Sequence, residues 1–207
     1  MNYDEKLKEL EGVILDRVPN FKIKFKDESL GMKILGKVLF FNKSFMTDFI
    51  TTIGDTVYFP SRQSYETRPK SSFFTLAHEY VHILDDKLMK AYKLKYLLPQ
   101  VLAILALLGV FNLKALFFLV FGLPIPAYWR AKIEMRGYGM SVAVRKWANV
   151  VSDSFLNYSV EQFITANYYF MWPFKKAVQK ELQTYMDTDD CLKDENLAYS
   201  DVYNILR

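Results

Sequence analysis

The sequence predicts an α+β protein in which a small N-terminal sheet is followed by a mainly helical part with an apolar helical hairpin. β-rich runs are confined to residues 21–59, and apolar residues recur at helical intervals through much of the remainder. Residues 96–128 carry one formal charge, Lys114. The 207 residues are 51% hydrophobic and 24% charged, which suffices for a core and excludes disordered classes. We expect one domain over 1–207 with residues 96–128 inserted as the hairpin.

The N-terminal part combines a helix with short strands. Apolar residues from Leu7 to Val18 follow three- and four-residue intervals, which indicate an amphipathic helix that ends before Pro19. Residues 45–53 fit either a helical turn or further strand, because three β-branched residues end this stretch. The predicted elements are a helix over residues 3–18 and strands at 21–26, 37–41 and 56–59.

Helices are predicted for most of the later chain. Ser71 and Ser72 are candidate N-caps of a helix that carries the main motif of the sequence. Charged residues return after residue 128, and a polar end begins at Asp187. The later helical patterns cover residues 131–151, 159–169 and 175–186.

The net charge and the cysteine content indicate which kinds of partner and which cellular compartments the chain fits. The net charge is +4 and no basic block of five or more appears, so we expect no nucleic-acid partner. The N-terminus lacks the apolar run of a signal peptide, and secretion by that route is not expected. Cys191 is the single cysteine, so the fold does not depend on an internal disulfide.

Residues 78–82 read His-Glu-Tyr-Val-His and contain both histidines of the chain. Residues four apart lie on one helix face, so the imidazoles of His78 and His82 can converge on one Zn²⁺. Glu79 then reaches a water at the ion and serves as a general base. The alternative is an ordinary helix whose histidines find other partners. We interpret the motif as a zinc site.

A catalytic zinc site takes three protein ligands and leaves one position for water. The chain has no third histidine. The third ligand must therefore be a carboxylate, a tyrosine or Cys191. The carboxylate candidates are Glu134, Asp153, Glu161, Glu181, and Asp85 or Asp86.

Residues 73–85 resemble the active-site helix of zincin metallopeptidases, in which apolar residues back a helix whose polar face points into a cleft. Glu134, followed three positions later by Gly137, is similar to the gluzincin pattern E-x-x-[AG]. In that pattern the small residue lets two active-site helices pack closely. The resemblance makes Glu134 the preferred third ligand, ahead of Glu161, and implies a zincin-like fold with Zn²⁺ as cofactor.

The order of elements over residues 73–138 is similar to that of membrane-embedded gluzincins. Those proteins read E-x-x-A-D, whereas this chain has Gly137 and Tyr138 in place of Ala-Asp. The missing aspartate would support an active-site histidine, and Asp85 or Asp86 can replace it as an acceptor. An exposed helix end is the alternative for these two aspartates.

The resemblance implies peptide hydrolysis, with Glu79 taking a proton from the attacking water and passing it to the leaving amine. Tyr138 lies one turn after Glu134 and is a candidate donor to the oxyanion, with ordinary packing as the alternative. The strand at 56–59 precedes the motif helix, as does the zincin edge strand that pairs with an extended substrate. A purely structural strand is the alternative.

Residues 96–128 suffice for one membrane-spanning helix and are short for two. A single crossing would separate His82 from Glu134, so a shared ion requires the chain to return as a hairpin. Lysines before the segment and basic residues after it favour cytoplasmic ends. The alternative is a helix pair buried in a soluble core or an oligomer interface.

Together these arguments predict a zinc-dependent metallopeptidase acting on peptide or protein substrates at a membrane, with its active site on the cytoplasmic side. A soluble cytoplasmic location is the alternative. The predicted residues are His78, His82 and Glu134 as metal ligands, with Glu79 and Tyr138 as catalytic groups. The second functional hypothesis is a non-catalytic, membrane-associated structural or interaction protein. The sequence leaves the oligomeric state open.

Overall fold

The computed structural model describes residues 1–40, 44–165 and 170–207. The described chain is mainly helical with a small sheet, which confirms the α+β prediction in its coarse form. Two compact units are present, one comprising Met1–Leu84 with Leu192–Arg207 and the other Asp85–Cys191. The expected zincin fold and apolar hairpin within a single domain stay predictions.

The elements are numbered in chain order. The strands are β1 (Lys22–Phe25), β2 (Thr51–Ile53) and β3 (Thr56–Phe59). The α-helices are α1 (Tyr3–Arg17), α2 (Leu30–Val38), α3 (Arg62–Thr67), α4 (Pro69–Leu88), α5 (Tyr92–Leu97), α6 (Tyr128–Trp147), α7 (Asp153–Ile164), α8 (Lys175–Asp187) and α9 (Ala198–Leu206). Within the described residues, 3-10 helices cover Gln100–Val110, Leu113–Gly122 and Asp190–Lys193.

The sheet has the strand order β1-β3-β2, with β1 parallel and β2 antiparallel to β3. Gly54 turns the chain between β2 and β3 with φ of 59°, a left-handed conformation that glycine adopts without a Cβ clash. The central strand, Thr56–Phe59, has a strand on each side. The expectation that it is an edge strand open to substrate is therefore wrong.

The strand predicted at residues 37–41 is also wrong where the structure describes it. Helix α2 extends to Val38, and a turn follows at residues 39 and 40. The Ser29 side chain accepts from the amide of Met32 at 3.3 Å and caps this helix. A well-capped helix start thus outweighs the β-rich composition at its end. Phe41 lies outside the described residues.

The motif helix α4 begins at Pro69, so the predicted N-caps Ser71 and Ser72 lie inside it. Proline suits the first helical turn because its missing amide has no helical acceptor there. The hydroxyl of Ser72 instead donates to the carbonyl of Tyr65 at 2.8 Å, which fastens α4 to the preceding helix.

The core of the first unit is built around α4, whose residues Phe73, Leu76 and Ala77 are fully buried. Helix α1 adds Leu10 and Ile14 to this apolar interior. Helix α9 contacts α1, in a region where the sequence predicted only a polar end. That prediction is wrong because the apolar spacing of α9 follows a strongly charged stretch. The buried residues of α9 are Ala198, Tyr199, Val202, Ile205 and Leu206.

The second unit has its core where α6, α7 and α8 pack together. Gly139 of α6 permits this packing, because a Cβ at this position would overlap the ring of Tyr185. The helices predicted over 131–151 and 175–186 correspond to α6 and α8, with shifted ends. The helix predicted over 159–169 corresponds to the end of α7, which runs to Ile164, and residues 166–169 lie outside the described chain.

The most apolar part of the chain, residues 97–123, is called the apolar segment below. Its two 3-10 helices contact each other, and the Gln100 amide donates to the Ile125 carbonyl at 3.3 Å. We expected α-helical arms, but composition this uniformly apolar has no periodicity that distinguishes one helical pitch from another. Among the described residues, no helix combines the length and the hydropathy needed to cross a bilayer.

Candidate metal centre

The two motif histidines face each other on one side of α4. Their Nε2 atoms lie 3.0 Å apart, and 9% of His78 and 7% of His82 is exposed. Two ligands of a tetrahedral zinc at about 2.0–2.1 Å would be roughly 3.3 Å apart. The helical i, i+4 spacing therefore brings the two nitrogens to nearly the separation of a chelating pair.

Glu79 lies between these histidines in sequence and is held by the edge strand β2. The hydroxyl of Thr52 donates to a carboxylate oxygen of Glu79 at 2.6 Å, and 9% of Glu79 is exposed. A charge-assisted hydrogen bond of this length fixes the carboxylate in one orientation. The contact gives the candidate general base a defined position beside the histidine pair.

A buried lysine lies at the end of β1 in the same unit. The ammonium of Lys26 donates to the carbonyls of Phe45 and Phe49 at 2.6 and 2.9 Å, and it lies 3.8 Å from the ring centroid of Phe45. Burial lowers the pKa of Lys26 to about 8, while the negative charge of Glu79 opposes this shift. Lys26 thus fastens the turn that precedes β2, the strand that carries Thr52.

The C-terminal residues brace α4 within the motif itself. The hydroxyl of Tyr80 donates to Asp201 at 2.7 Å, and Asp201 also accepts from Arg17 at 3.1 Å. The buried Asn196 donates through Nδ2 to the carbonyl of Val81 at 2.9 Å. Burial, followed by the hydrogen bond to Asp201, raises the pKa of Tyr80, so the phenol stays protonated and continues to donate.

Glu134 lies on α6 and is 3% exposed, although charged residues surround it in sequence. The phenol of Tyr96 donates to Oε1 of Glu134 at 2.6 Å. Burial and then the negative charge of Glu134 raise the pKa of Tyr96 well above its ordinary value, so the phenol remains a donor. Tyr96 therefore orients this carboxylate.

His78, His82 and Glu134 form the one cluster of potential metal ligands found among the described residues. Each offers one ligand atom, and these atoms all lie within 4.8 Å of one another. Two imidazoles and a carboxylate form a donor set that zinc accepts. The three predicted ligands thus lie close enough to hold a metal ion.

Other predicted candidates have different surroundings. Asp85 is buried and accepts from Arg136 at 2.9 Å, so it is neither an exposed helix end nor part of the cluster. Asp86 lies 3.8 Å from Lys93. Glu161, the second choice for the third ligand, bonds to Lys175 at 3.3 Å and is half-exposed. Asp153 and Glu181 are exposed, and Cys191 is half-buried.

Tyr138, predicted as an oxyanion donor, belongs to the apolar core of the second unit. Its ring centroid lies 5.4 Å from that of Phe163 in an edge-to-face arrangement, and 8% of the residue is exposed. This environment is the packing alternative that the sequence left open. The catalytic role of Tyr138 stays a prediction.

Sequence reasoning missed the residues that hydrogen-bond to the motif and to Glu134. Thr52, Tyr96 and Asp201 contact Glu79, Glu134 and Tyr80 across separations of 27, 38 and 121 residues. Threonine, tyrosine and aspartate occur throughout the chain, so no local signal distinguishes these three.

The chain matches no protein-family profile, no curated protein and no solved structure.

Proposed function

We propose that this protein is a zinc-dependent peptidase in which His78, His82 and Glu134 bind the ion. The observation that carries the proposal is the proximity of these three ligand atoms, which lie within 4.8 Å of one another, and Glu79 follows His78 directly in the motif. Zinc, when bound, would polarise the scissile carbonyl and lower the pKa of the attacking water.

The chain itself supplies the base and its orientation. Glu79 takes a proton from the attacking water and delivers it to the leaving amine as the peptide bond breaks. Thr52 donates to one carboxylate oxygen of Glu79, and the second oxygen is the one that takes the proton in this proposal. Tyr96 plays the corresponding orienting role for Glu134.

Zinc content tests the ligand set. Purified protein saturated with zinc and passed over a desalting column should retain about one equivalent, and His78→Ala or Glu134→Ala should lose it. Glu161→Gln is the matched control, because this glutamate lies on a helix outside the cluster and bonds to Lys175. Retention of zinc by Glu134→Ala would remove Glu134 from the site.

Peptidase activity tests the chemistry separately. Glu79→Gln should keep zinc and lose at least about a thousandfold in turnover of an unfolded protein or peptide library, because the general base is removed. If Glu79→Gln retains both zinc and the full rate, the ion is not used for hydrolysis in the proposed way. Zinc binding without any peptidase activity would favour the non-catalytic hypothesis.

A further inference from the structure

The apolar segment exposes large hydrophobic side chains to an extent that soluble monomers rarely show. Of its helical residues Gln100–Val110 and Leu113–Gly122, Ala106 is the one that is buried. The two 3-10 helices contact each other, and α5 contacts the first of them, yet most of their large apolar side chains are exposed in the described structure. The most exposed of its large hydrophobic residues are Leu107, Val110, Phe111, Leu113 and Phe117, at 74%, 86%, 88%, 78% and 70%.

Hydrogen bonds join the two ends of the apolar segment. Arg130 donates from Nε to the carbonyl of Tyr96 at 2.9 Å and from Nη2 to the side chain of Gln100 at 3.0 Å. These bonds join the residues that enter the segment to those that leave it. The two ends of the segment are therefore held together, and its exposed apolar side chains belong to one compact structure.

The charge around the segment is entirely of one sign. Residues 87–133 contain seven basic residues and no acidic one. Lys87, Lys90 and Lys93 are exposed before the segment, and Lys132 is exposed after it. An apolar body between exposed cations matches the acyl chains and anionic headgroups of a lipid leaflet. Tyr128 and Trp129, each nearly half exposed, have the amphipathic rings that favour this boundary.

We propose that the apolar segment binds this protein to the surface of an anionic lipid bilayer. Helices of 11 and 10 residues at about 2.0 Å per residue reach roughly 20 Å, short of a hydrocarbon core of about 30 Å. The segment is therefore too short to cross the core and lies at one face of the bilayer, with the flanking lysines at the headgroups. Lys114 has an aliphatic stem that lets its ammonium reach polar surroundings. This proposal is independent of the peptidase function.

Vesicle flotation of the full chain tests the proposal, using phosphatidylcholine vesicles with and without roughly one-third phosphatidylglycerol. The protein should float with the anionic vesicles. The double variant Val110→Asp/Phe111→Asp should weaken binding tenfold or more, because two highly exposed apolar groups become charged. Leu30→Asp is the matched control, since Leu30 is 73% exposed on α2, and it should bind as the native chain does.

The charge contribution is tested by Lys90→Gln/Lys132→Gln, which should weaken binding to anionic vesicles by about tenfold and leave binding to neutral vesicles unchanged. Circular dichroism before flotation verifies that each variant is folded. The proposal is overturned if the folded native chain stays with neither vesicle, or if Val110→Asp/Phe111→Asp binds as tightly as Leu30→Asp. A concentration-dependent dimer abolished by the aspartates, without vesicle binding, would assign the segment to a second copy instead.

Discussion

The hydroxyl of Thr52 lies 2.6 Å from a carboxylate oxygen of Glu79. This hydrogen bond joins the edge strand β2 to the motif helix α4, so the position of the proposed general base depends on a strand 27 residues earlier in the chain. Lys26 in turn holds the turn before β2 through two backbone carbonyls. Thr52 thus contacts the Glu79 carboxylate directly, and Lys26 stabilises the turn before the strand that carries Thr52.

Removing the Thr52 hydroxyl should impair turnover without removing the ion. We expect Thr52→Val to lower kcat about tenfold with little change in KM or zinc content, because Glu79 loses its orienting donor. Thr52→Ser keeps the hydroxyl and should retain most of the rate. Equal losses in the valine and serine variants would show that the shape of Thr52 matters, and not its hydrogen bond.

Tyr96→Phe should weaken zinc binding by about 10- to 100-fold, because the variant removes the phenol that orients Glu134. Competition with a chromophoric chelator measures the affinity directly. Tyr128→Phe is the control, since Tyr128 lies on the same helix as Glu134 and is nearly half exposed. If both variants bind zinc equally, Tyr96 does not support the ligand.

Asp201→Ala should lower the free energy of unfolding by about 2 kcal/mol, because the buried phenol of Tyr80 loses its acceptor. Glu28→Ala is the comparison, because Glu28 and Arg62 are more than half exposed and their ion pair should contribute less than about 1 kcal/mol. Urea denaturation measures both values. A loss in Asp201→Ala no larger than that in Glu28→Ala would contradict the bracing role.

Lys26 should make stability depend on pH in the alkaline range. Its pKa falls from 10.5 to about 8 on folding, so between these values the unfolded chain binds a proton that the folded chain lacks. The contribution of Lys26 to stability therefore increases as the pH rises through this window. The unfolding free energy of the native chain relative to Lys26→Met should increase by about 2 kcal/mol from pH 8 to pH 10.5. If the difference in unfolding free energy between the native chain and Lys26→Met does not change with pH, the lowered pKa of Lys26 is refuted.

The proximity of His78 and His82 was predictable, because residues four positions apart lie on one face of a helix. The ligand atom of Glu134 lies within 4.8 Å of those of the two histidines, and it was the resemblance to the gluzincin pattern that had singled out this glutamate. Thr52 and Tyr96 were not predictable, since their roles arise from contacts that only the folded chain creates. The helical periodicity of a sequence relates residues a few positions apart, so it cannot reveal contacts between residues 27 or 38 positions apart.

The errors in the fold have related causes. A strand was predicted at residues 37–41 from composition, whereas the cap at Ser29 starts a helix that extends into this stretch. Helix α9 was missed because the charged residues before it suggested a polar tail. Both errors arose where local composition and the helical pattern disagreed, and the structure follows the pattern.

The bonds of Asn196 and Asp201 to the motif helix also concern the order of synthesis. These side chains reach residues 115 and 121 positions earlier, so the helix that bears the histidines is made long before its braces. Residues 192–207 belong to the same compact unit as the motif residues, so they must emerge from the ribosome before the packing of that unit can be completed. The nascent histidine helix therefore stays incompletely supported while more than a hundred further residues are added.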